Sequence, residues 1–166
     1  MNRQLMDILR ASEGRYLTIE EQAILTEHAR GMEARLAAAN DISRKETKLV
    51  QQTVSEVMAA YPDMEKKYKG AVQTCTRDVT LVLRYACQAM VRQDPQYLND
   101  TLLTWMATML KGVGLASHLI EDTYKTLSLI ASKELPPQAA KLLQPYVLQC
   151  AAVLSGRSAS SADKEA

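Results

Sequence analysis

The chain has 166 residues, 47% hydrophobic and 23% charged, with a formal net charge of +1. That length fits one domain able to bury a core without staples, and the balance excludes a disordered chain. Its cations are spread along the sequence, so no concentrated basic face points to nucleic acid, and no apolar run reaches the roughly 18 residues that span a bilayer.

Other classes fall to particular stretches. The opening MNRQLMDILRASEG carries charges inside its apolar pattern, which is not how a signal peptide reads. Three cysteines, an odd count with no CxxC, fit a reducing cytosolic compartment rather than a disulfide scaffold or a zinc ribbon. There is no Phe, Met occurs eight times, and Gly and Pro are few, a helical composition.

Helical periodicity runs through the chain and no segment reads as a strand. A first short helix is predicted over 2–12, with Leu5, Ile8 and Leu9 as its stripe. Thr18 and Glu21 have capping-box spacing and open a second helix reaching residue 40. A second such pair, Ser43 with Glu46, opens a third helix that Pro62 terminates. PDMEKKYKG reads as a charged connector, and the next helix starts at 69–73 and runs to 93. Asp94-Pro95 punctuates and begins another helix, which the glycines of 112–114 end. LASHLIEDTYKTLSLIASK follows, and the proline pair at 136–137 opens the last helix. The predicted architecture is all-α: a globin-like helical bundle with an N-terminal helical extension, one domain over 1–155. The Ser- and Ala-rich stretch 156–166 reads as a disordered tail.

Most chemistry lacks a motif. His28 and His118 stand in separate helices with no second ligand at metal spacing, so no metal site is expected. Gly112 and Gly114 form a GxG without a preceding strand, which is a turn rather than a phosphate loop. No nucleophile signature occurs, and no enzymatic activity is expected. His118 is the one applicant for a haem ligand in a globin-like sensor.

The exception is CTRDVTLVLRY, starting at Cys75. At about 100° per residue, Cys75 and Asp78 share a helix face that Val79 and Val82 continue, while Arg77 projects to a flank. Cys75 and Cys87 stand about 18 Å apart along that helix, too far for a disulfide. Two readings remain open on the residues alone. One is a buried small cysteine beside an Arg–Asp ion pair. The other is a covalent cofactor: a thiol for a thioether, a guanidinium for a carboxylate, and an aspartate for protonated ring nitrogens, the handles of a linear tetrapyrrole.

That segment resembles the phycobiliprotein pattern C-x-R-D-x-x-x-x-L-R, the bilin-attachment helix of phycocyanin and allophycocyanin subunits. ASEGRYLTIEEQ, LRYACQAMVRQDPQYLND, Gly114 and PYVLQCAAVLSG are similar to other family segments, so the likeness spans roughly residues 3–155. The resemblance implies one covalent phycocyanobilin-type bilin. Cys75 would carry the thioether, Arg77 would pair with a propionate and Asp78 would meet the pyrrole nitrogens, with Val79, Val82, Trp105 and Leu110 around them. It implies light harvesting and excitation transfer within a phycobilisome-type assembly. The N-terminal hairpin would dock a complementary subunit, the heterodimer would assemble into rings, a linker protein would be a further partner, and the location would be the cytoplasmic face of a thylakoid membrane. No nucleic acid and no membrane insertion are implied.

The sequence also departs from the family. The connector before Cys75 is shorter and lacks the Pro-Gly-Gly-Asn-Ala-Tyr-like stretch. Leu110 stands where Tyr is usual, and Trp105 where glycine is common. Ala116 replaces a proline, and Thr74 stands where a Lys or a small residue often precedes the cysteine. No second attachment site is evident, and Cys150 reads as core packing. The chain reads as a divergent member, with a chromophore-free adaptor or regulatory protein of the same fold as the alternative.

Overall fold

The computed structural model describes residues 3–156. The expected helix start at Asn2 and all of the predicted 156–166 tail except Gly156 lie outside the described residues. Every regular element among the described residues is helical: α1 Arg3–Ala11, α2 Ile19–Arg30, α3 Met32–Ala60, α4 Met64–Lys67, α5 Ala71–Arg92, α6 Pro95–Leu98, a π-helical segment Asn99–Leu103, α7 Thr104–Val113, α8 Ser117–Glu134 and α9 Pro137–Leu154.

The core forms where α3, α5, α8 and α9 pack on one another. Their apolar residues recur at helical spacing. On α5 these are Val79, Val82, Leu83, Ala86 and Met90, and on α9 Leu143, Val147, Cys150 and Leu154. Without Phe, leucine, valine and alanine fill this interior, with Met90, Met106 and Tyr124 as its larger members.

The helix ends follow local chemistry. Thr18 accepts the Glu21 N–H at 3.2 Å while its own N–H donates to the Glu21 carboxylate at 2.8 Å, completing the expected capping box. Gly114, at φ +75°, takes the left-handed conformation that ends α7, and its N–H returns to Leu110 and Lys111. The helix predicted from Asp94-Pro95 forms, with Asp94 accepting the Tyr97 N–H. It carries a π segment in its middle, where Thr104 Oγ1 bonds the Asn99 carbonyl five residues back.

Two sequence expectations are corrected. The second helix does not reach residue 40: it stops at Arg30, and Gly31 separates it from α3. Ser43 opens no helix either. It is an exposed residue inside α3, whose buried stripe runs on through Ala38, Ile42 and Leu49 because no glycine or proline interrupts 32–60. Glu46 turns away from any cap and binds Arg84 of α5 at 2.6 and 2.7 Å. The connector also holds structure, the single turn α4.

Candidate functional site

Cys75, Asp78 and Val79 line one wall of a half-open cleft of about 330 Å³. α5 presents them together because 75, 78 and 79 fall one turn apart. Leu110 and Val113 of α7 and Leu119, Ile120, Thr123 and Tyr124 of α8 face them. The remaining wall comes from the connector, through Met64, Tyr68 and Lys69. That wall is fastened at two points: the Tyr68 hydroxyl donates to the Gly114 carbonyl at 3.4 Å, and the Glu65 carboxylate accepts the Val72 N–H at the start of α5. Apolar surface dominates the cleft, as ligand pockets generally require.

The polar groups in this lining are few and distinct. Cys75 is a free thiol pushed up to about 11, by burial first and by the Asp78 carboxylate second. Asp78 is largely covered and takes the Arg77 guanidinium on Oδ1, with Nη2 at 2.8 Å and Nε at 2.9 Å. Burial drives the Tyr124 phenol well above its ordinary value, and the acids Cys150, Asp78 and Cys75 act in the same direction. The cleft thus contains a protonated thiol, a carboxylate and a phenol, with the Lys69 ammonium at its exposed edge.

The other expected residues lie elsewhere. Arg77 is a flank residue with its side chain 74% exposed, and it reaches the cleft only through Asp78. Val82 is fully buried in the core one turn past Val79. Trp105 stands half-exposed on α7, its indole N–H on the Thr101 carbonyl, and does not line the cleft. Cys150 has no exposure and packs in the core. His118 is exposed at the start of α8 against the Tyr61 ring. The sequence reading missed Tyr124, Tyr68 and Lys69. Tyr124 is one turn on from Ile120, a spacing that was available, but Tyr68 and Lys69 enter only because the connector folds back onto α7.

The described residues form an all-α bundle of globin type, consistent with a phycobiliprotein fold. The chain matches the model of the phycobilisome protein family over residues 10–154 and belongs to that family. No curated protein matches it. Members of the family assemble with other phycobiliprotein subunits and serve light harvesting rather than catalysis. No helix among the described residues is long and apolar enough to cross a membrane.

Proposed function

We propose that this chain is a light-harvesting subunit carrying one bilin on Cys75. The observation that carries the reading is the juxtaposition of Cys75 and Asp78 in an apolar cleft whose donors suit a linear tetrapyrrole. The cleft is open on one side, so Cys75 and the apolar lining would hold a tetrapyrrole without enclosing it. In attachment, the Cys75 S–H adds across a carbon–carbon double bond of the bilin; sulfur takes one carbon, the proton goes to the other, and nothing leaves. The bilin, once bound, absorbs visible light. The cleft walls would restrain it, and Asp78 would supply negative charge for its ring nitrogens. Arg77 remains paired with Asp78 and fixes that carboxylate, while Lys69 stands at the cleft edge as a counter-charge for a propionate.

The N-terminal hairpin supports the assembly half of this reading. No residue of α2 is buried, and Tyr16 and Ile19 are 97% and 81% exposed. An extension that leaves large apolar side chains exposed suits docking on a complementary subunit, with ring formation to follow.

The test is expression of the chain with a bilin-producing pathway and a matching lyase, followed by zinc-enhanced fluorescence on a denaturing gel. Wild type should fluoresce and Cys75→Ala should be dark. A dark wild-type band, with Cys75 free by mass spectrometry, would refute bilin loading and leave the chromophore-free adaptor.

A further inference from the structure

A second cavity of about 300 Å³ lies between the start of α3, the α5–α6 turn and α9, and shares no lining residue with the cleft at Cys75. Its unusual component is Arg35. This side chain is 2% exposed, yet it makes no ion pair among the described residues. Its Nε donates to the Val91 carbonyl at 3.0 Å and its Nη2 to the His28 carbonyl at 2.8 Å. Nη1 has no hydrogen-bond partner among the described residues. It fits against Gly31, where a Cβ would stand 2.5 Å from it. Two carbonyl dipoles orient a guanidinium but do not neutralise it, and a covered cation is ordinarily paired with an acid. Burial accordingly lowers the Arg35 pKa, and the Tyr146 phenol is what opposes that.

The rest of the lining favours negative charge in the same way. Lys141 stands at the rim, and Tyr146 is half-buried beneath it; neither donates a hydrogen bond among the described residues. The Gln93 and Gln149 side chains complete the polar set, and no carboxylate lines the space. Asp94, the acid nearest in influence on Tyr146, is engaged as the cap of α6.

We propose that this cavity binds a small oxyanion, a phosphate- or carboxylate-bearing metabolite, between the Arg35 guanidinium, the Tyr146 hydroxyl and the Lys141 ammonium. Its volume suits a small molecule. The three donors come from α3 and α9, so the anion ties the first turns of the long central helix to the last helix of the bundle.

Isothermal calorimetry on the full chain tests this, with inorganic phosphate and succinate as separate probes at an ionic strength fixed with chloride. At least one probe should bind saturably with one site per chain; phosphate alone would assign a phosphate ligand, succinate alone a carboxylate. Tyr146→Phe and Lys141→Gln should each weaken binding about tenfold, the loss of one charge-assisted hydrogen bond. Lys66→Gln, on the connector, should leave it unchanged. Lys141 is exposed, and Tyr146→Phe keeps the ring that packs against the core, so the variants should keep the wild-type circular dichroism. If neither probe saturates, or if the Tyr146→Phe, Lys141→Gln double variant binds as wild type does, the site does not exist. None of these outcomes depends on Cys75 or on a bilin.

Discussion

Asp78 is the residue on which the optical reading turns. Its carboxylate is mostly covered, paired with Arg77, and faces the same cleft as Cys75. An opposite charge at this range favours the protonated form of a neighbouring nitrogen base. In bilin-loaded protein, Asp78→Asn should therefore broaden and weaken the red band, and the pH at which that band is lost should fall by about 1–3 units. Absorption titrations of the two loaded proteins measure this; identical midpoints would remove Asp78 from the chromophore's charge balance. The shared placement of Cys75 and Asp78 on one face was legible because one helix carries both, and the period of a helix is known in advance. Trp105 and Val82 were not placed so well. Whether an α7 side chain faces α5 or solvent depends on how α7 is rotated, and the π segment at Asn99–Leu103, which no local signal announces, resets that rotation. Tyr68 and Lys69 depend on a chain reversal at Gly70, φ +77°, whose direction a charged connector does not reveal.

Among the elements, the junction between α1 and α2 depends most on a single side chain. Glu21 accepts Arg15 at 2.7 and 2.8 Å and the Thr18 N–H at 2.8 Å, and these bonds, Arg15 first, hold its carboxyl down at about 2. A depressed carboxylate stabilises the fold above its usual range near 4.5, and the effect is lost as pH falls through about 2. Glu21→Gln should thus loosen the hairpin at neutral pH and remove its acid dependence between those values. Hydrogen exchange of the amides at 19–22 reports it: faster in the variant at pH 6, with the α8 and α9 amides unchanged. Equal protection in both proteins would mean that packing, not the capping box, holds the entry to α2. This cap was readable because its partners lie three residues apart. The same spacing misled at Ser43 and Glu46, since Glu46 found Arg84, 38 residues away, a stronger partner than a helix end that does not exist. The break falls at Gly31, where the demand is for room beside Arg35, a tertiary reason invisible to local pattern.

At the scale of the whole molecule, three protonated thiols set a limit on alkaline stability. Burial raises Cys75 and Cys87 to about 11 and Cys150, at the centre of the α9 packing, to about 12, against an ordinary 9. The sign follows from where the proton is held. Above pH 9 the unfolded chain releases these protons while the folded chain keeps them, so the unfolded state gains and stability falls with pH until each folded value is passed. Each such thiol costs about 1.4 kcal/mol per pH unit across its window. Urea denaturation at pH 8 and pH 10 should show a clear loss in wild type, and the loss should be smaller by about 1.4 kcal/mol in Cys150→Ala, whatever that variant's starting stability. Parallel losses would show that Cys150 does not titrate on unfolding. The same measurement bears on the cleft. A thioether has no proton to lose, so bilin-loaded protein should show a shallower alkaline decline than the same chain with Cys75 free, by about one thiol's share. Loading at Cys75 and stability of the bundle are then coupled through one proton, and a loaded chain that declines as steeply as the free one would show that no thiol titrating on unfolding had become a thioether.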